Sequence, residues 1–218
     1  MPEFRSVARA AARAQALALA AAALLLCQPA ASAQPSGAPP AAPAPDAAAP
    51  SPGTGNGILV AYFSHEGHTK ALAEIIHAAV GGDIYEIRTE KAYPADHDQA
   101  VTVGKEEQAA QARPSLAGNM PDMSKYRTVI LGYPIWWGDP PMGVYTFVEN
   151  NDFSGKTVAP FCTHGGSGLS RSVESLQSKL PGAKVLPGLA VRSGSAASSG
   201  DDAREWLQES GIAVRADG

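Results

Sequence analysis

The chain has 218 residues, with 17 Lys and Arg against 21 Asp and Glu, and 44% of its residues are hydrophobic. That length fits one domain with appendages, and the acidic balance argues against nucleic acid or anionic lipid as the main partner. Its two cysteines, Cys27 and Cys162, leave no room for a disulfide framework.

The first stretch reads as a targeting segment. Arg5, Arg9 and Arg13 form a basic region, residues 17–26 an apolar run, and Ala31-Ser32-Ala33 a small-x-small site. Together they predict a secretory signal peptide over 1–33, cleaved after Ala33, and a periplasmic or secreted protein. The apolar run is too short to span a bilayer comfortably, so no stable membrane span is expected after cleavage. Leucine before Cys27 does not fit a lipoprotein site, and no Arg-Arg pair suggests the twin-arginine route. Removing 1–33 takes away three Arg and one Glu, leaving 14 basic and 20 acidic residues and a net charge near −6. Cys162 is then the only cysteine, so the fold relies on its hydrophobic core. Residues 34–56 are rich in Pro, Ala, Gly and Ser, with Asp46 the lone charge, and predict an extended linker. It serves either as a spacer or as a dispensable tail.

Residues 57–218 form the predicted domain, long enough to bury a core. Residues 58–63 are an unbroken apolar run with β-branched and aromatic members, as a strand buried on both faces requires. After Thr69 the period changes, and Leu72, Ile75, Ile76 and Ala79 mark one stripe of a helix. Residues 83–87 alternate like an edge strand. A weak helical stretch from Pro94 to Gln111 shows only an indistinct stripe. Residues 128–132 read as a buried strand, and 142–150 as a helix started by Pro140-Pro141. Residues 157–162 read as a third buried strand despite Pro160, which forfeits a ladder hydrogen bond. Leu169, Val173, Leu176 and Leu180 predict a helix ended by Pro181-Gly182. A strand over 184–191 and a helix over 201–210 close the domain. Five strands each followed by a helix imply an α/β fold with a right-handed, doubly wound parallel sheet.

Three loops at carboxyl ends of these strands carry the chemistry. The first is Ser64-His65-Glu66-Gly67-His68-Thr69, at a helix amino terminus where backbone N–H groups favour an anion. The second, after the 128–132 strand, runs Gly132-Tyr133-Pro134-Ile135-Trp136-Trp137-Gly138. Two adjacent tryptophans in a loop expose much aromatic area unless a flat partner covers it. Otherwise they bridge loop to core or form a partner patch. The third is Thr163-His164-Gly165-Gly166-Ser167-Gly168, whose glycines allow close backbone approach to a ligand.

These loops resemble those of the flavodoxin family. The 64–69 loop is similar to its phosphate loop, roughly S/T-x-T-G-N-T: Ser64, Gly67 and Thr69 match, while Glu66 replaces a threonine and His68 an asparagine. The 132–138 loop resembles the aromatic flavin loop of a branch that carries the same tryptophan pair. The 163–168 loop resembles the other flavin-side loop of that branch, its amides facing the ring's pyrimidine edge. The resemblance spans nearly all of 57–214. It implies a five-stranded sheet of order 2-1-3-4-5 with helices on both faces, FMN as cofactor, and binding by residues 64–69, 134–138 and 163–168. It names no catalytic residue. Cys162 resembles a buried thiol, and the spacing of His65, Glu66, His68 and His164 matches no helical metal-ligand pattern.

Three functions follow from that resemblance. The first is an FMN-binding redox protein carrying electrons outside the cytoplasm to an unknown redox protein or quinone. The second is an FMN-dependent NAD(P)H or quinone reductase, against which stands the lack of a second dinucleotide motif. The third is a flavin-free module that binds a partner through Trp136 and Trp137. Glu66 keeps that third option open, because its carboxylate would repel a phosphate unless it turns to solvent or is offset by a protonated His68 or His65.

Overall fold

The computed structural model describes residues 57–216, so the predicted signal peptide and linker lie outside the described residues. Six strands, β1 (Ile58–Tyr62), β2 (Asp83–Glu86), β3 (Thr128–Pro134), β4 (Thr157–His164), β5 (Lys184–Val185) and β6 (Leu189–Arg192), form one sheet. Its order is β2-β1-β3-β4-β5, with β6 also paired to β4, and every ladder is parallel. The five helices are α1 (His68–Val80), α2 (His97–Ala109), α3 (Met142–Glu149), α4 (Ser172–Lys179) and α5 (Gly200–Glu209).

The apolar run that defines β1 is buried on both faces, because successive side chains point to opposite sides. Leu59, Ala61 and Phe63 enter one core with Val129, Leu131 and Tyr133 of β3, closed by α3 and α4 through Val144, Phe147 and Leu176. Val60 and Tyr62 enter the other with Ile130 and Phe161, closed by Leu72 and Ile76 of α1 and Trp206 and Leu207 of α5. A parallel sheet with helices on both faces is the flavodoxin-like arrangement the loops implied.

The single strand expected over 184–191 is two. The register runs from Val158↔Val185 to Phe161↔Leu189, so two residues of β4 face three of the neighbouring strand. The break lies at Leu186-Pro187-Gly188, beside Pro160. Leu186 N donates to Val158 O at 2.8 Å, so alternate residues of β4 present their backbone groups to this side, Pro160 included. The proline's missing N–H therefore falls where the partner bulges and asks for no donor. A Cβ on Gly188 would lie 3.2 Å from Pro160 O and 2.7 Å from Leu169 Cδ2, so any larger residue would have to shift Leu169 and press on the Pro160 carbonyl.

Helix α2 also departs from the expectation. It begins at His97, not near Pro94, where the Asp96 carboxylate accepts from Gln99 N at 3.0 Å. Only Ala100 and Gly104 are buried on it. A Cβ on Gly104 would meet Trp136 at 2.9 Å, so α2 lies on the tryptophan loop and its indistinct stripe is the consequence.

Candidate functional site

A cavity of about 240 Å³ opens at the carboxyl ends of β1, β3 and β4, where Glu66, Pro134, Ile135, Trp136, Trp137, Thr163 and His164 come together from three loops. His97 and Val101 of α2 and Ser193 complete its lining. Sequence reasoning missed these three. His97 lies 31 residues beyond Glu66, and only the path of α2 across the loops brings it in.

The first loop turns into α1 through Gly67, held at φ 88°, and no side chain caps the helix through this residue. Ser64 Oγ accepts from Lys70 N at 3.2 Å. The amides of His68 and Thr69 precede the first intrahelical bond, Ala71 N to Gly67 O. They remain donors at the positive end of a 13-residue helix. Thr69 is buried, and its hydroxyl shares a 2.8 Å hydrogen bond with Thr163, fixing the start of α1 to the end of β4. Glu66 is turned away toward α2, where Oε1 lies 3.0 Å from His97 Nδ1. Its partner is thus neither His68 nor His65. The His65 ring instead stands edge-on to Trp136 at 5.7 Å and to Tyr93 at 6.4 Å. Its Nε2 is buried with no hydrogen-bond partner among the described residues.

The two tryptophans differ in role. Trp136 is half-buried and makes edge contacts with Phe63, His65 and Tyr93, so it ties loop to core. Trp137 is 46% exposed. Its indole N–H donates to Val101 O at 2.9 Å, and Lys105 Nζ stands 4.8 Å from its ring centroid. Trp136 and Asp139 exchange backbone hydrogen bonds of 2.9 and 3.1 Å around Trp137 and Gly138, both at positive φ (53° and 80°). That is a two-residue hairpin turn of the I′ kind, in which glycine is at home and tryptophan is strained. Asp139 anchors the turn: buried, it accepts from Tyr145 Oη (2.6 Å), Arg171 Nε (2.9 Å) and Ser175 Oγ (3.2 Å). Arg171 N also donates to Gly138 O at 3.3 Å. Burial, and then the bond to Asp139, raise the Tyr145 pKa and keep it a donor.

The third loop folds around His164. Its Nδ1 accepts from Gly166 N at 2.9 Å and Gly168 N at 3.1 Å, so two of the amides implied to face a flavin are turned onto the imidazole. With Nδ1 an acceptor, the ring proton sits on Nε2. Burial first, and then the Arg192 guanidinium, lower the His164 pKa and hold it neutral. Gly165, Gly166 and Ser167 are exposed beyond it. Cys162 is buried, its thiol facing Gly168 O at 3.7 Å, and burial pushes its pKa up to about 12. It stays a thiol, not a nucleophile. Among the described residues no three His, Cys, Asp or Glu side chains are grouped to hold a metal ion, and no helix is long and apolar enough to cross a membrane.

Comparison with known proteins agrees with this geometry. Residues 57–210 match the flavodoxin family description. A candidate flavoprotein from Bacteroides eggerthii is 34% identical, over 72% of this chain and 98% of its own, with a TM-score of 0.63. One from Bacteroides uniformis is also 34% identical, over 71% and 99%, with a TM-score of 0.62. A flavoprotein from Lactobacillus acidophilus, solved in complex with FMN, shares the fold at 24% identity over 67% and 97%, with a TM-score of 0.55. No curated protein matches. The fold, the three converging loops and the family match lead to one statement: the chain belongs to the flavodoxin family.

Proposed function

We propose that the chain binds FMN in the cavity at the strand ends and carries electrons outside the cytoplasm. The observation that carries this reading is the convergence of Glu66 from the loop leading into α1, the aromatic hairpin, and Thr163 and His164 at the start of the glycine loop on one cavity. The fold shared with a flavoprotein solved with FMN supports it, and the leader predicted over 1–33 supports export.

The residues present fit the group. The free amides of His68 and Thr69, with Ser64 and Gly67, would hold the phosphate at the α1 amino terminus. The contact with His97 gives the Glu66 carboxylate a partner on α2, away from its own turn, which lessens the electrostatic objection. Pro134, Ile135, Trp136 and Trp137 would flank the ring, and Nε2–H of neutral His164 is a donor for its polar edge. FMN would supply the redox chemistry, while the chain binds, orients and tunes. In that tuning His164 adds no charge of its own, because its protonation is opposed by burial and by Arg192.

The test is reduction of the FMN-loaded protein by a chemical donor, beside an assay of NAD(P)H oxidation. A carrier is reduced by the donor and oxidises NAD(P)H at well below ~1 per second. Turnover at that rate or faster assigns the protein as a reductase.

A further inference from the structure

Between β2 and β3 the chain makes an excursion whose two ends are zipped together. Glu90 N donates to Ser115 O at 2.9 Å, Ala117 N donates to Arg88 O at 2.8 Å, and Thr89 bridges Leu116 in antiparallel fashion. Inside it lies a second cavity of about 400 Å³, with a mainly apolar wall that includes Tyr93, Val103 and Pro114. That volume is in the range of small-molecule pockets, roughly 300–1,000 Å³. Helix α2 divides the two cavities: His97 and Val101 face the first, Val103 and Glu107 the second. Tyr93 belongs to the second, and its ring stands edge-on to Trp136 of the first at 4.9 Å between centroids. One pair of rings therefore separates them.

We propose that this cavity is a second small-molecule site, taking a neutral planar aromatic carbonyl compound of about naphthoquinone size and placing it one ring pair away from the cavity at the strand ends. The body of such a ligand matches the Tyr93, Val103 and Pro114 wall. The charges select against anions, since Glu90 and Glu107 outnumber Lys91 on the lining. This separates the site from one for a nicotinamide nucleotide. Tyr93 does not supply a donor, because its hydroxyl already donates to Glu107 Oε2 at 2.6 Å. Lys91 Nζ and Ser115 Oγ make no hydrogen bond with the described residues and stand ready for a carbonyl oxygen. The choice of a redox-active ring rests on the flavin reading of the neighbouring cavity. The existence of the site does not.

The experiment is calorimetric titration of menadione into the FMN-loaded protein and into the same protein without FMN, with naphthoate as the anionic comparison. Menadione is expected to bind both forms, and naphthoate at least about tenfold more weakly. Val103→Trp fills the cavity and should weaken menadione at least about tenfold, while FMN affinity changes less than about twofold. Lys91→Ala, at an exposed position, should weaken menadione about threefold. No menadione binding to either form, loss of binding when FMN is bound, or indifference to both substitutions overturns the proposal. Naphthoate binding as tightly as menadione overturns the ligand class. If FMN does not bind but menadione does so in a Val103-sensitive way, the second site stands and the flavin reading of the first falls.

Discussion

Glu66 Oε1 lies 3.0 Å from His97 Nδ1, so the carboxylate is directed toward α2 on the cavity that both residues line. Both side chains are largely in solvent, so the pair itself contributes little, about 0–1 kcal/mol. Its consequence is directional. Were the carboxylate 4–5 Å from a phosphate, repulsion would cost roughly 3–4 kcal/mol at an effective dielectric near 20. The geometry therefore predicts that Glu66→Thr changes FMN affinity by less than about threefold. A tenfold gain in that variant would place the carboxylate back in the field of the phosphate.

The tryptophan pair should separate stability from binding. Trp136→Ala removes a half-buried ring with three aromatic neighbours and should destabilise the fold by about 2–3 kcal/mol, below the range for a fully buried ring. Trp137→Gly relieves a left-handed residue, worth ~1–2 kcal/mol, but loses the bond to Val101 O and the Lys105 contact. Its stability should stay within about 1 kcal/mol of wild type, while FMN affinity falls by about 1–3 kcal/mol. Urea unfolding and flavin titration of both variants check this. The opposite pattern, with Trp137→Gly unfolding the protein and Trp136→Ala not, contradicts it.

Much of this was legible in the sequence. Residues 58–63 could be read as a two-faced strand because a parallel sheet tolerates no polar alternation, and the loops that follow three strands could be placed from the apolar runs before them and the Gly, Pro and polar residues that end those runs. The rest depends on partners distant in sequence. Helix α2 was faint because it buries only Ala100 and Gly104, the latter against Trp136, rather than a full apolar stripe. The break between β5 and β6 is set by a missing N–H in β4, across the ladder. The hairpin around Trp137 and Gly138 was hidden because tryptophan is not a residue that signals positive φ. The amides turned onto His164 were unreadable because an imidazole acceptor leaves no spacing rule.

His164 gives the protein a pH dependence of known sign. Its folded pKa lies below the ordinary 6.5, so the unfolded chain binds more protons in that window. The stabilisation is fully present above pH ~6.5 and is lost as pH falls toward the folded pKa. Protonating Nδ1 would also displace the amides of Gly166 and Gly168. His164→Ala should cost about 1–3 kcal/mol at neutral pH through the loss of those two hydrogen bonds, and should flatten the dependence below pH ~6.5. Thermal unfolding of wild type and variant across that range is the check. An equal acid slope in both would assign it to other groups.

The central claim, that one cavity takes the ring at the tryptophan hairpin and the phosphate at the start of α1, is tested most directly by comparing the affinities of FMN and riboflavin for the purified protein through quenching of flavin fluorescence. The two ligands share the ring and differ by the phosphate. The amides of His68 and Thr69 at a helix amino terminus should favour FMN by ~2 kcal/mol, about thirtyfold, with both ligands quenched on binding. Equal affinities, or no quenching by either flavin, would contradict the account.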